Sequence, residues 1–108
     1  MELKIQKKDF LKGLAPTLSV SEKRNTMPSL NHALLEAKDG MLQISATDLE
    51  IFISANVPCK TLVTGRIAVP ARNLFDIVKD CDENANIHIR AIDGNRLELI
   101  SGKTQFKL

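Results

Sequence analysis

With 108 residues, 44% of them hydrophobic, the chain has the size of one domain and enough apolar content for one core. It holds no run of about eighteen apolar residues, and its start, Met-Glu-Leu-Lys-Ile-Gln-Lys-Lys, is charged where a signal peptide needs an apolar stretch, so we expect a cytoplasmic protein with no membrane partner. Fifteen Lys and Arg against 13 Asp and Glu leave a net charge of +2, which announces a nucleic-acid protein only if the charge is gathered on one face.

In chain order, Leu3 and Ile5 alternate as in a short strand, and a helix is expected from Lys7 to about Leu14. Phe10, Leu11, Leu14 and Leu18 fall on its buried stripe, and Lys8 and Lys12, four apart, share the exposed side. Gly13 and Pro16 weaken its second half, and Pro16 predicts an end or a kink. Ser19 to Pro28 is polar and reads as a loop carrying Arg24. Strands are expected over Ala33 to Ala37, Met41 to Ala46 and Leu49 to Val57, with Asp39-Gly40 as a hairpin turn and Thr47-Asp48 as the next corner. Pro58 to Thr64 has no clear pattern.

A further strand is expected from Gly65 to Val69, with Pro70 at the first helical position, where its missing N–H is harmless. On the helix that follows, Leu74, Phe75, Ile77 and Val78 share an apolar face and Arg72, Asp76 and Lys79 the opposite one. Asp80 to Asn86 is an acidic loop. Ile87 to Ala91, Arg96 to Ser101 and Lys103 to Leu108 read as three more strands, with Asp93-Gly94 as a hairpin. The last residues still follow a strand pattern, and we expect the chain to be part of a longer protein.

The two halves repeat. Ile5 to Leu14 lies over Val69 to Val78, strand end on strand end and apolar pair on apolar pair, with Lys8 over Arg72. Ala37 to Ile44 resembles Ala91 to Leu99 with one residue inserted after the glycine, and Leu49 to Ile53 lies over Thr104 to Leu108. This predicts an α+β fold of two copies, each a strand, a helix and three strands.

No catalytic constellation is present. His32 and His88 are single residues in strand contexts, and Cys59 and Cys81 lie in no metal-binding or disulfide pattern, so no cofactor and no metal are expected. Asp48 and Glu50 read as a capped corner, the glycines as turn residues and Asp82-Glu83 as a solvated loop. We expect a non-enzymatic protein.

Thr26-Met27-Pro28-Ser29-Leu30, Leu34-Leu35, Asp39-Gly40-Met41-Leu42, Ala46-Thr47-Asp48-Leu49-Glu50, Val69-Pro70-Ala71-Arg72-Asn73-Leu74-Phe75-Asp76-Ile77, Ser101-Gly102-Lys103 and Phe106 follow one another in the order and spacing of a known family. The sequence resembles the first domain of the bacterial DNA polymerase III β sliding clamps over essentially its whole length. The resemblance implies the DNA clamp fold, two βαβββ repeats related by a pseudo-twofold with adjacent helices backed by antiparallel sheets, and residues 1–108 as the first of three domains. It implies a processivity factor: two subunits close head to tail into a ring around double-stranded DNA, bound without sequence specificity. DNA polymerase and clamp loader would be held through domains absent here.

On the same footing, Lys8, Lys12, Arg72, Lys79 and the loop residue Arg24 are the expected DNA-binding set. Asn73 and Ile77 on the second helix, with Arg96, Lys103, Gln105, Phe106 and Leu108 on the last strands, are expected to meet the other subunit. Several family members carry a basic residue where Asn73 and Gln105 stand, so charge pairing there should be weaker. Two rival readings are a single-strand or RNA-binding module and a β-rich protein-interaction domain. The first wants stacking aromatics, and this chain has four Phe with neither Tyr nor Trp.

Overall fold

A computed structural model describes residues 1–21, 31–93 and 96–108. Two β–α units organise the chain. β1 (Glu2–Gln6) runs into α1 (Lys7–Ser21), and β6 (Gly65–Pro70) runs into α2 (Ala71–Lys79). Three strands follow each helix: β2 (His32–Lys38), β3 (Met41–Thr47) and β4 (Phe52–Pro58) after α1, and β7 (Asn86–Ile92), β8 (Arg96–Ser101) and β9 (Thr104–Lys107) after α2. β5 (Lys60–Val63) lies between the copies and belongs to neither.

The repeat is exchanged in space. One antiparallel sheet has the order β5-β1-β7-β8-β9 and the other β4-β3-β2-β6, so the first strand of each copy completes the sheet of the other. The registers correspond: Ile5 sits opposite Ile87 as Val69 sits opposite Ala33. The inward residues of both sheets and the buried faces of both helices form one core, in which Phe10 matches Leu74 and Leu14 matches Val78, all four fully buried.

Three boundaries differ from the sequence expectation for local reasons. α1 continues through Pro16 to Ser21. The ring of Pro16 is exposed, so the carbonyl it deprives of a donor faces water, while Thr17 Oγ1 donates to Leu14 O (2.6 Å) and Ser19 Oγ to Pro16 O (2.9 Å). Leu18 and Val20 are buried, and this burial extends the helix past its weak point. Gly13 is buried against β3 and β4: a Cβ there would come within 2.8 Å of Ile44 Cδ1 and 3.1 Å of Val57 Cγ1, so the glycine lets α1 approach the sheet.

β4 starts at Phe52 rather than Leu49. The Asp48 carboxylate accepts from the N–H groups of Glu50 (3.0 Å) and Ile51 (2.7 Å), the capped corner read from the sequence, but that corner takes Leu49 to a positive φ of 80° and out of the sheet. The longer corner also shifts the internal match. Leu99 pairs with Phe106 as Ile44 pairs with Ala55, and Leu97 bonds Leu108 in both directions where Leu42 pairs with Val57. The structural counterparts of Phe106 and Leu108 are therefore Ala55 and Val57, not Ile51 and Ile53. Pro70 is the N-cap of α2, extended at φ −60° and ψ 116°, and the helix begins at Ala71. Asp39 and Gly40, at φ 52° and 80°, form the predicted tight turn; the second predicted hairpin includes Gly94, which lies outside the described residues.

Candidate nucleic-acid interface

The two helices are in contact, and Lys8, Lys12, Arg72 and Lys79 are all exposed on them. The buried stripe explains the exposure. Phe10 and Leu14 on α1, and Leu74 and Val78 on α2, fix each helix by its apolar side, and residues displaced by about half a turn must face solvent. Leu11 and Phe75, which the repeat equates, are both half-buried against the core.

The start of α1 lies against the end of α2. Lys7 Nζ donates to the carbonyl oxygens of Lys79 (2.8 Å) and Cys81 (2.5 Å), placing a positive charge where the helix leaves carbonyls without partners. Sequence reasoning missed Lys7. The available signal was its match to Ala71, which breaks the symmetry of the repeat, but its target lies 72 residues away and no local pattern points to it.

The four basic side chains are not equivalent. The Arg72 guanidinium lies 3.2 Å from the Asp76 carboxylate, one turn later, and 5.9 Å from the centre of the Phe75 ring. Both members of that pair are more than half exposed, so the pairing tempers the charge without hiding it. Lys8 shares a surface cleft with Lys7, Leu11, Cys81, Asp82 and Glu83, so the acidic loop borders the basic helix at that end. Arg24 lies outside the described residues.

The residues expected at a subunit contact group around one edge and one helix. β9 is the outermost strand of its sheet, so among the described residues its outer row of backbone groups has no strand partner. Lys103 and Gln105 are exposed there, as is Arg96 on β8, while Phe106 and Leu108 are half-buried against the core. On α2, Asn73 is exposed and Ile77 half-buried. Among the described residues no group of three or more His, Cys, Asp or Glu could hold a metal, and no helix is long and apolar enough to cross a membrane.

The family described as DNA polymerase III beta subunit, N-terminal domain, matches residues 1–108. The chain belongs to that family. It is 36% identical over 109 residues to a beta sliding clamp of Caulobacter vibrioides and 33% identical to one of Escherichia coli, in each case over 100% of this chain. It spans 29% and 30% of those relatives' lengths. The crystal structure of a DNA polymerase sliding clamp from Caulobacter crescentus superposes on the whole chain with a TM-score of 0.94 at 36% identity, covering 30% of that protein. A DNA polymerase III β subunit from Pseudomonas aeruginosa follows at 0.92 and 33%, over the whole of this chain and 29% of its own. The clamp fold of this family, with two helices and antiparallel sheets, is the fold described above.

Proposed function

We propose that this chain is the first domain of a sliding clamp, a non-catalytic processivity factor for a DNA polymerase. The observation that carries the reading is the superposition of the entire chain on a sliding clamp at a TM-score of 0.94 and 36% identity. In this reading three such domains make a subunit and two subunits close head to tail around duplex DNA, with polymerase and clamp loader held by the other domains. Lys8, Lys12, Arg72 and Lys79 face the hole from the paired helices, joined by Arg24 from the polar segment that follows α1 in sequence. Asn73, Ile77, Arg96, Lys103, Gln105, Phe106 and Leu108 meet the second subunit, and the unpaired edge of β9 gives that contact a strand to build on.

The chemistry suits a ring that must hold DNA without stopping on it. Lysine and arginine attract phosphates through a charge field that is the same at every base pair, so no register is preferred, and displaced counterions re-form as the ring moves. The ion pair between Arg72 and Asp76 weakens that field, and topological closure makes a strong grip unnecessary. The test is retention. The whole polypeptide carrying this domain, once loaded, should stay on a circular duplex and leave when the circle is cut. Equal retention on linear and circular DNA would overturn the reading.

A further inference from the structure

The face of the five-stranded sheet that turns away from the helices carries two adjacent cross-strand rows of opposite character. One row, Glu2-Arg90-Glu98-Lys107, alternates in sign across β1, β7, β8 and β9, and Arg90 bonds Glu98 at 2.8 Å. The next row, Lys60-Lys4-His88-Ile100 across β5, β1, β7 and β8, contains no carboxylate. Lys60 and Lys4 are directly opposite each other, an arrangement that repels unless something negative lies over it. Both are exposed, and neither has an ion-pair partner among the described residues. His88 is held in place by Glu2, 2.6 Å from its Nε2.

This row lines a groove of about 700 Å³ together with Pro58, with the side-chain amides of Gln6 and Asn86 beside it. We propose that the groove recognises an acidic segment of a partner protein, an extended peptide that sets carboxylates on Lys4 and Lys60 and apolar side chains on Pro58 and Ile100. A peptide fits better than a nucleic acid. No Phe, Tyr or Trp lines the groove for a base to stack on, the His88 ring is engaged by Glu2, and Asp9 at the rim with Glu2 would repel a continuous phosphate chain while tolerating separate carboxylates. The amides suit a peptide backbone. The groove is built on the sheet face turned away from the helices, with Asp9 in the first turn of α1 at its rim, and it includes none of the expected DNA-binding residues, so the inference stands or falls apart from the DNA reading.

The probe is a fluorescein-labelled peptide of alternating glutamate and leucine, titrated by anisotropy against the 108-residue chain. Binding should disappear at about 1 M salt, where screening acts within about 3 Å. Lys4→Gln with Lys60→Gln should weaken it about tenfold, as the loss of two solvent-facing charge pairs would, with the melting temperature unchanged or raised by the lost repulsion. Lys4→Arg with Lys60→Arg should restore it, and Lys38→Gln, on the other sheet, should leave it alone. Absence of binding at millimolar peptide, equal binding by the double Gln variant, or tighter binding of a single-stranded oligonucleotide to the same lysines would overturn the proposal.

Discussion

Lys7 Nζ reaches the carbonyl oxygen of Lys79 at 2.8 Å, so the first residue of α1 caps the last turn of α2. The contact joins the two copies of the repeat at the helix pair, and it uses a lysine that would otherwise join the basic face. Replacing it by methionine keeps the aliphatic stem and removes the donor. We expect Lys7→Met to cost about 1–2 kcal/mol in denaturant unfolding, in the range of a charge-assisted bond to a helix end. Lys8→Met, at an exposed neighbour, should stay within about 0.5 kcal/mol. Equal effects at the two positions would show that the cap contributes nothing.

The pair Arg72–Asp76 makes a prediction that a plain count of basic residues does not. If Arg72 contacts phosphate, its carboxylate neighbour competes with DNA for the guanidinium, and removing that competition should help binding. Asp76→Asn is expected to tighten duplex binding about two- to threefold at low salt, consistent with the worth of one exposed ion pair, while Arg72→Ala weakens it. Lys8→Ala, Lys12→Ala and Lys79→Ala should each weaken binding and reduce the salt slope by about one unit. An Asp76→Asn protein that binds DNA no better would separate Arg72 from the DNA-facing set.

Arg24 is tested separately. Arg24→Ala, in the polar segment that the sequence reads as a loop, should weaken DNA binding or loading of the whole clamp and leave stability within about 0.5 kcal/mol, as expected of a substitution away from the core. A large fall in melting temperature would make its role structural.

Gly13 tests how closely α1 is seated. A methyl group at this position gains helix propensity, about 1 kcal/mol, but meets Ile44 Cδ1 at 2.8 Å inside a packed core. We expect Gly13→Ala to be destabilising on balance, by about 1 kcal/mol. Ile44→Val removes the obstructing atom, so the double variant should be more stable than the sum of the singles predicts, by about 0.5–1 kcal/mol. Strict additivity would mean that the helix simply shifts.

What could be read from the sequence was what is local and periodic. The apolar spacing on both helices and the Asp39-Gly40 turn rest on residues close in the chain, the alignment of Ile5 with Val69 rests on the likeness of two such local patterns, and the structure keeps all three. The exchange of β1 and β6 between sheets was not legible, because the same alternation in β1 would suit either partner, and only loop lengths and core shape choose. Pro16 misled because a helix-breaking residue was weighed without the burial of Leu18 and Val20 beyond it. The basic residues were legible as exposed, whereas the partners that distinguish them, Asp76 for Arg72 and the end of α2 for Lys7, emerge only from packing and side-chain geometry.

The corrected register changes what is expected of Phe106 and Leu108. Leu108 bonds Leu97 through both backbone groups, at 2.8 and 3.1 Å, and its side chain is half-buried against the core, so it serves the domain's own fold as well as any contact beyond it. Its counterpart Val57 lies 5% exposed and is more fully enclosed. In the 108-residue chain we expect Leu108→Ala to cost less than Leu97→Ala, which empties a fully buried site and should cost about 2–5 kcal/mol. In the whole clamp the order should reverse for assembly: Leu108→Ala loosens the dimer in sedimentation, whereas Leu97→Ala, in the core of its own domain, and Ile53→Ala, half-buried on β4, affect the dimer only through stability. The two measurements separate the roles, because a side chain at a subunit contact shifts a concentration-dependent equilibrium and a core side chain shifts the melt. An unchanged dimer with Leu108→Ala, alongside a loss of folding as large as that of Leu97→Ala, would assign Leu108 to the core and remove it from the interface.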